Sequence, residues 1–239
     1  MLTKEKILWV VNYDNLDDFV ARAAETKCTG VAIRTDNNLS KAIDACHARN
    51  MAVYGWRWPS AKRDPAMKEA AKVVSLMAEG MDGYFVDPEG AQGKPYDWDQ
   101  PGLDQLASDF CDMIKSAAPT KPLGTTSHYR AKASLPKLPW AAFFKYTDVF
   151  LPQAYWRSTE GVIGHGIPQD NYRASQTFWA DCGAAKQKIV PMAGELGVAT
   201  PAEIDAYAAE ARSQGIDRLH FYTFEDSVAP AVWSAVASA

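Results

Sequence analysis

Long apolar runs are what this 239-residue chain most plainly lacks. Near the start, MLTKEKILWVVNYDN carries lysines and an apolar run of only Ile7 to Val11. A secretory leader needs a longer apolar segment and a small-residue cleavage site, so none is expected and synthesis in the cytoplasm is. No stretch approaches the length of a membrane-crossing helix, which argues against a membrane partner. Cysteine is scarce: Cys28, Cys46, Cys111 and Cys182 are widely spread with no paired spacing. That excludes a disulfide framework and a cysteine metal site, and leaves mostly buried thiols. An excess of positive charge is missing too. Net charge is -4 and the pI about 5.6, which gives nucleic acid nothing to bind in bulk. The four histidines, His47, His128, His165 and His220, show no metal-ligand spacing. No G-x-S-x-G elbow surrounds Ser127-His128, which excludes the serine-hydrolase arrangement. No cofactor is expected.

What is present is an ordinary globular composition, 47% hydrophobic and 23% charged, with enough length for a sizeable core. Short apolar runs recur over 7–11, 30–35, 52–58, 83–89, 122–129, 148–156, 188–197 and 218–224. Several are apolar on both parities, as strands covered on both faces must be. Helix-like segments alternate with them: 15–26, 39–50, 64–79, 103–117, 140–146, 171–181, 201–214 and 228–238. Asp64 before Pro65, and Thr200, stand as N-caps; Gly80 and Gly215 stand where helices end. Asp14, Asp36 and Asp226 read as further caps. Alternation of strand and helix means a parallel sheet. Eight such units without remainder predict one α/β domain over 1–239, a closed (β/α)8 TIM barrel, and a monomer. The doubly wound rival needs a glycine-rich first turn, and VVNYDN has no glycine.

In a barrel the chemistry sits at the C-terminal strand ends. Here those ends carry Asn12, Arg34, Trp56, Arg57, Trp58, Asp87, Glu89, His128, Tyr129, Gln153, Tyr155, Trp156, Glu195 and Tyr222, while the strand starts are mainly aliphatic. Asp87 and Glu89 lie two apart in GYFVDPEG. On a strand they share a face, with Cα atoms roughly 6–7 Å apart. Their charges repel, so one pKa rises and a protonated acid stands beside a carboxylate. Glycoside hydrolysis uses such a pair, the partner acting as nucleophile or steadying a substrate's N-acetyl group. Pro88 offers no N–H, so pairing stops there and Glu89 falls at the mouth. The bland alternative is that Asp-Pro-Glu-Gly is a type I turn. Trp56, Trp58, Tyr129, Tyr155 and Trp156 are candidate platforms for sugar rings. Gln153 and Tyr155 share a strand face and are candidates to hold an acetamido group. Arg34 and Glu195 complete the set, with Glu195 also a candidate ion-pair partner for Arg34, Arg57 or Arg130.

The segment YFVDPE resembles the D-x-E strand of glycoside hydrolase family 25, the barrel muramidases, and LPQAYW resembles that family's Gln-x-Tyr strand. LPQAYW is similar as well to the strand of the family 18 chitinase-like barrels, whose D-x-x-D-x-D-x-E signature is met here only at its terminal Asp87-Pro88-Glu89. The resemblance implies a glycosidase of N-acetylated polysaccharide, most of all peptidoglycan, with Glu89 as general acid and Asp87 as partner. It implies a polysaccharide as the binding partner and a lysozyme-like or endolysin-like role in cell-wall degradation. A chain without a leader then reaches the wall as a phage-type lysin does, or is a housekeeping enzyme of the cytoplasm. The muramidase strand 1 aspartate is replaced by Asn12. That departure keeps open a catalytically silent, glycan-binding barrel. Arginines at the strand ends keep open a lyase or isomerase with Glu89 as base.

Overall fold

The computed structural model describes residues 3–239. Its order is β1 (Glu5–Val10), α1 (Leu16–Glu25), β2 (Gly30–Arg34), α2 (Leu39–His47), β3 (Ala52–Arg57), α3 (Arg63–Ala78), β4 (Gly83–Val86) and α4 (Asp104–Ala117). There follow β5 (Leu123–His128), α5 (Trp140–Phe144), β6 (Val149–Gln153), a hairpin of β7 (Arg157–Ser158) and β8 (Gly161–Val162), α6 (Pro168–Asp181), α7 (Pro201–Ser213), β9 (Arg218–Phe221) and α8 (Pro230–Ser238). Seven strands form one parallel sheet in the order β6-β5-β4-β3-β2-β1-β9. In that order each crossover returns the chain beside its last strand, with none of the reversal that a doubly wound sheet has.

The formal sheet is open between β6 and β9. The gap is filled by 189–193, expected as a full strand. It makes isolated parallel bridges instead, Ile189 with Phe150, Met192 with Gln153, and Ala193 with Phe221. Pro191 is the physical reason that no continuous ladder forms there, since it has no N–H to give. Its carbonyl is taken by the Tyr207 hydroxyl of α7 at 2.8 Å. Around this stave Val190 donates to the Phe150 carbonyl and Ala193 to that of His220.

Two apolar layers follow from strand alternation. Ile7, Trp9, Ala32, Trp56, Phe85, Leu151, Val190 and Met192 fill the inside. Residues of the other parity, such as Leu8, Val31, Val53 and Tyr84, pack outward against the helices. Inside, Trp9 stacks on Phe85 at 5.1 Å and donates its indole N–H to His220 Nδ1 at 3.0 Å.

Helix caps correct the sequence reading in detail. Asn15, not Asp14, caps α1, its side chain accepting from the Asp17 amide at 2.9 Å. Asn38, not Asp36, caps α2. Lys62 precedes α3 and gives no side-chain cap, so Asp64 falls inside the first turn, where its charge still suits the helix dipole. Ala229, not Asp226, precedes α8. Thr200 does cap α7, in a reciprocal capping box with Glu203. Gly80 and Gly215 follow α3 and α7 with φ of 123° and 72°, a conformation that favours glycine.

Candidate active site

The strand that opened the question does not turn at Asp87. Its amide donates to the Arg57 carbonyl at 2.9 Å, so the chain stays extended past the formal end of β4. Glu89 then pairs in parallel with Asp97, and the Trp98 amide donates to the Glu89 carbonyl at 2.7 Å. The long loop after β4 thus folds back to hold the segment straight, and the type I turn reading is overturned. Between the two acids, Ser127 of β5 donates its hydroxyl to the Pro88 carbonyl at 2.7 Å. Pro88 gives no N–H, and its own carbonyl is satisfied from the neighbouring strand.

Extended backbone puts both carboxyls on the inner parity of β4, above Phe85. Gln153, on the inner parity of β6, lies across from them. Its Nε2 donates to Asp87 Oδ1 at 3.0 Å and to Glu89 Oε1 at 3.2 Å. The two carboxyls also hydrogen-bond to each other, and Trp58 hydrogen-bonds to Asp87. Asp87 is buried, 3% exposed; Glu89 is partly exposed at the mouth. Burial, then the neighbouring Glu89 charge, pushes Asp87 well above the ordinary carboxylate range. Burial also pushes Glu89 up, against the lowering effect of its hydrogen bonds to Asp87 and Gln153. The consequence is a dyad that keeps one proton where isolated carboxyls would have lost both, with Asp87 its stronger holder.

Tyr155 and Tyr222 close the other side. Their rings stack at 5.3 Å and 16°. Burial first, then the nearby acids, pushes both phenols up, so both are neutral hydroxyls at any working pH. Gly194 lies behind Tyr155; a Cβ there would fall 2.7 Å from the ring. Tyr222 directly follows β9 on the inner parity, continuing His220. It stood among the strand-end residues of the sequence, and its parity was the signal that it belongs with Tyr155.

The other expected residues separate. Trp58 joins the pair directly. Trp56 is 1% exposed, its indole committed to the Val10 carbonyl at 3.0 Å, so it is the floor beneath the site rather than a free platform. Trp156 is fully enclosed, one residue off the inner parity, packing beside Tyr207 at 6.0 Å; it has no face to offer a sugar. Tyr129 lies between His128 and His165 at the β5 end, partly exposed. Arg34 is held by Asp36 at 2.6 Å and by Asn12 at 2.9 Å, over the Trp58 ring. Glu195 does not pair with Arg34, Arg57 or Arg130. Its pKa is raised, by burial and then by Glu225, and its amide meets the Arg157 carbonyl at 3.3 Å. Among the described residues no group of three or more acids, histidines and cysteines is placed to hold a metal ion.

A parallel α/β barrel with paired carboxyls at the strand ends belongs to a class of fold that glycoside hydrolases use. No family model matches the chain, and no curated protein matches its sequence. Solved structures do match. A family 18 chitinase variant from Cycas revoluta, in complex with (GlcNAc)4, superposes with a TM-score of 0.68 at 11% identity, over 98% of this chain and 99% of that one. A class V chitinase from Pseudomonas fluorescens gives 0.66 at 10%, over 98% of each chain. An aldolase gives 0.59 at 10%, over 99% and 93%. Identities this low establish the fold, and the fold hosts more than one chemistry.

Proposed function

We propose that the protein is a glycoside hydrolase of an N-acetylated polysaccharide, with peptidoglycan as its substrate, Glu89 as general acid and Asp87 as partner carboxyl. The observation that carries this is the amide of Gln153 bridging two carboxyls that also hydrogen-bond to each other. A pair that touches in this way is too close to flank a glycosidic bond. A direct nucleophile stands about 5–5.5 Å from the acid, and an inverting base about 6.5–9.5 Å. The arrangement suits a substrate that assists its own cleavage. The proton that Asp87 holds in the free site passes to Glu89 within the dyad, leaving Asp87 anionic, and Glu89 gives it to the leaving oxygen as the bond to C1 breaks. The carbonyl oxygen of the substrate's acetamido group bonds to C1, and anionic Asp87 steadies the acetamido N–H. Water then opens the cyclic intermediate, with Glu89 taking its proton back from that water. The tyrosine hydroxyls, neutral at any working pH, are available to orient the acetamido group, and Trp58 fixes Asp87.

Aldolases share the barrel, but a Schiff-base mechanism needs a desolvated lysine at the mouth. The buried Lys6 lies at the start of β1 and is committed to the carbonyls of Thr26 and Val236. The lyase reading took Arg34 or Arg130 as the holder of an anionic substrate; Arg34 is already paired with Asp36, and Arg130 lies over the Phe178 ring.

The test is release of soluble fragments from purified peptidoglycan, with chitin oligosaccharides in parallel. Glu89→Gln is expected to lower the rate on the order of a hundredfold or more. Products are expected with retained anomeric configuration. Equal rates for wild type and Glu89→Gln, or no cleavage of either substrate, would refute the proposal; glycan binding without cleavage would identify a silent barrel.

A further inference from the structure

Beside the acid pair lies a cavity of about 210 Å³, lined by Arg57, Trp58, Ser60, Glu69, Pro95 and Tyr96 among others. It shares a wall with the active site, because the Trp58 that lines it is the residue hydrogen-bonded to Asp87. The Tyr96 ring stands 6.3 Å from that of Trp58, tilted 30°, so two aromatic rings line the cavity side by side. The walls are fixed before any ligand arrives. The Ala61 amide donates to the Pro95 carbonyl at 2.8 Å, and the Ser60 hydroxyl to the same oxygen at 3.1 Å.

The charge in this cavity is unlike that on the opposite side of the mouth, where burial and then the Glu225 charge push Glu195 up. Here Arg57 is underpaired. Its Nη1 meets Asp36 at 3.2 Å, an oxygen pair already shared with Arg34 at 2.6 Å. Its Nε is 3.8 Å from Glu69, whose other oxygen accepts from the Thr35 hydroxyl. Lys72 adds a further ammonium at the Thr35 carbonyl. Three cations thus face two carboxylates, and the Arg57 side chain is 35% exposed. A guanidinium with free N–H groups beside an aromatic wall is built for a planar anion on a ring.

We infer that this cavity is a sugar subsite that takes a ring bearing a carboxylate substituent, with the ring on Trp58 and Tyr96 and the carboxylate on Arg57. Such a ring is an N-acetylhexosamine carrying an acidic ether, as the muramic acid units of peptidoglycan are; a chitin chain has none. The inference rests on the proposed glycosidase reading and gives its substrate a reason within the site.

The experiment is calorimetric titration of the Glu89→Gln protein with three tetrasaccharides: alternating GlcNAc–MurNAc with free carboxylates, the same glycan with every carboxylate converted to a methyl amide, and (GlcNAc)4. The acidic glycan is expected to bind on the order of tenfold more tightly than its amide, from one charge-assisted pair, with the preference shrinking at high salt. Arg57→Gln should remove the preference and Arg57→Lys keep part of it, whereas Tyr96→Ala should weaken all three probes alike. Equal affinity for the acidic glycan and its amide would overturn the subsite, and so would Arg57→Gln weakening both equally. That first comparison needs only the protein with Arg57 intact, so it decides even if the arginine variants fail to fold. Cleavage by wild type is scored separately. Preference without cleavage leaves the subsite standing and refutes the hydrolase; cleavage of all three glycans without preference does the reverse.

Discussion

Asp87 is kept in a state its side chain would not choose in water. Its pKa is raised by burial and by Glu89, and a raised carboxyl pKa has a definite sign in stability. Below the ordinary value of 3.8 both the folded and the unfolded chain hold the proton, and there is no penalty. Above it the unfolded chain releases the proton while the folded chain retains it, so stability falls as pH rises toward the raised folded value. Asparagine removes the charge and can still accept from Gln153. Asp87→Asn is therefore expected to raise Tm at neutral pH, with the gain fading to nothing near pH 3, while activity is lost. Thermal melts of both proteins across that range check it; a gain independent of pH would mean that the shifted carboxyl is not its source. Catalytic groups held at a cost to stability are common at functional sites. The same dyad argument makes the pH profile of kcat/KM bell-shaped, with both limbs belonging to the pair rather than to either acid.

The strands place these groups by parity, and parity explains what could be read in advance. Phe85, Asp87 and Glu89 form one inward row, as do Leu151, Gln153 and Tyr155, or Tyr54, Trp56 and Trp58. The apolar run into Asp-Pro-Glu revealed the first row directly. The tryptophans were harder, because a ring at a strand end looks alike whether it faces in, out or down. Trp156 is off the row and Trp56 one step too deep, and both proved to be packing. The partners of Arg57 were illegible because they come from the loop after β2 and from α3, through contacts no local pattern encodes. Gly194 was legible as a glycine but not as a spacing device. Its missing Cβ leaves room for the Tyr155 ring, and the position a Cβ would take also lies 3.0 Å from the Tyr222 carbonyl. Gly194→Ala must therefore push the Tyr155–Tyr222 stack or the backbone aside, at a cost of about 1–3 kcal/mol for overpacking. The expected result is a lower denaturation midpoint and, on the proposed mechanism, where the displaced hydroxyl orients the acetamido group, a fall in kcat larger than the change in KM. Unchanged kinetics would separate the tyrosine pair from catalysis.

For the molecule as a whole, the weakest seam is where the barrel joins. Eight alternating units were plain in the sequence, and the parallel α/β class with them, because periodicity and capping are local. How the ends meet was not, since it depends on long-range pairing between 189–193 and two strands on either side. That stave supplies amide hydrogen bonds through Val190 to Phe150, Met192 to Pro152 and Ala193 to His220, with Pro191 contributing none. The opposite wall, β1 through β3, is laddered continuously. Opening should begin where fewest backbone bonds must break together. Native-state hydrogen exchange is expected to show the amides of Val190, Met192 and Ala193 exchanging through a lower-energy opening than those of Leu8, Ala32 and Tyr54. Removing the Tyr207 hydroxyl, which holds the Pro191 carbonyl and receives the His220 amide at 3.2 Å, should widen that difference. Tyr207→Phe leaves two buried backbone groups unsatisfied, each at about 1–3 kcal/mol. If the stave instead exchanges only with the global unfolding of β1–β3, in wild type and Tyr207→Phe alike, the barrel closes as one cooperative unit and the seam has no separate stability. The outcome bears on the site, because Gln153 and Tyr155 stand on one edge of that seam and Tyr222 on the other, and the Tyr155–Tyr222 stack spans it.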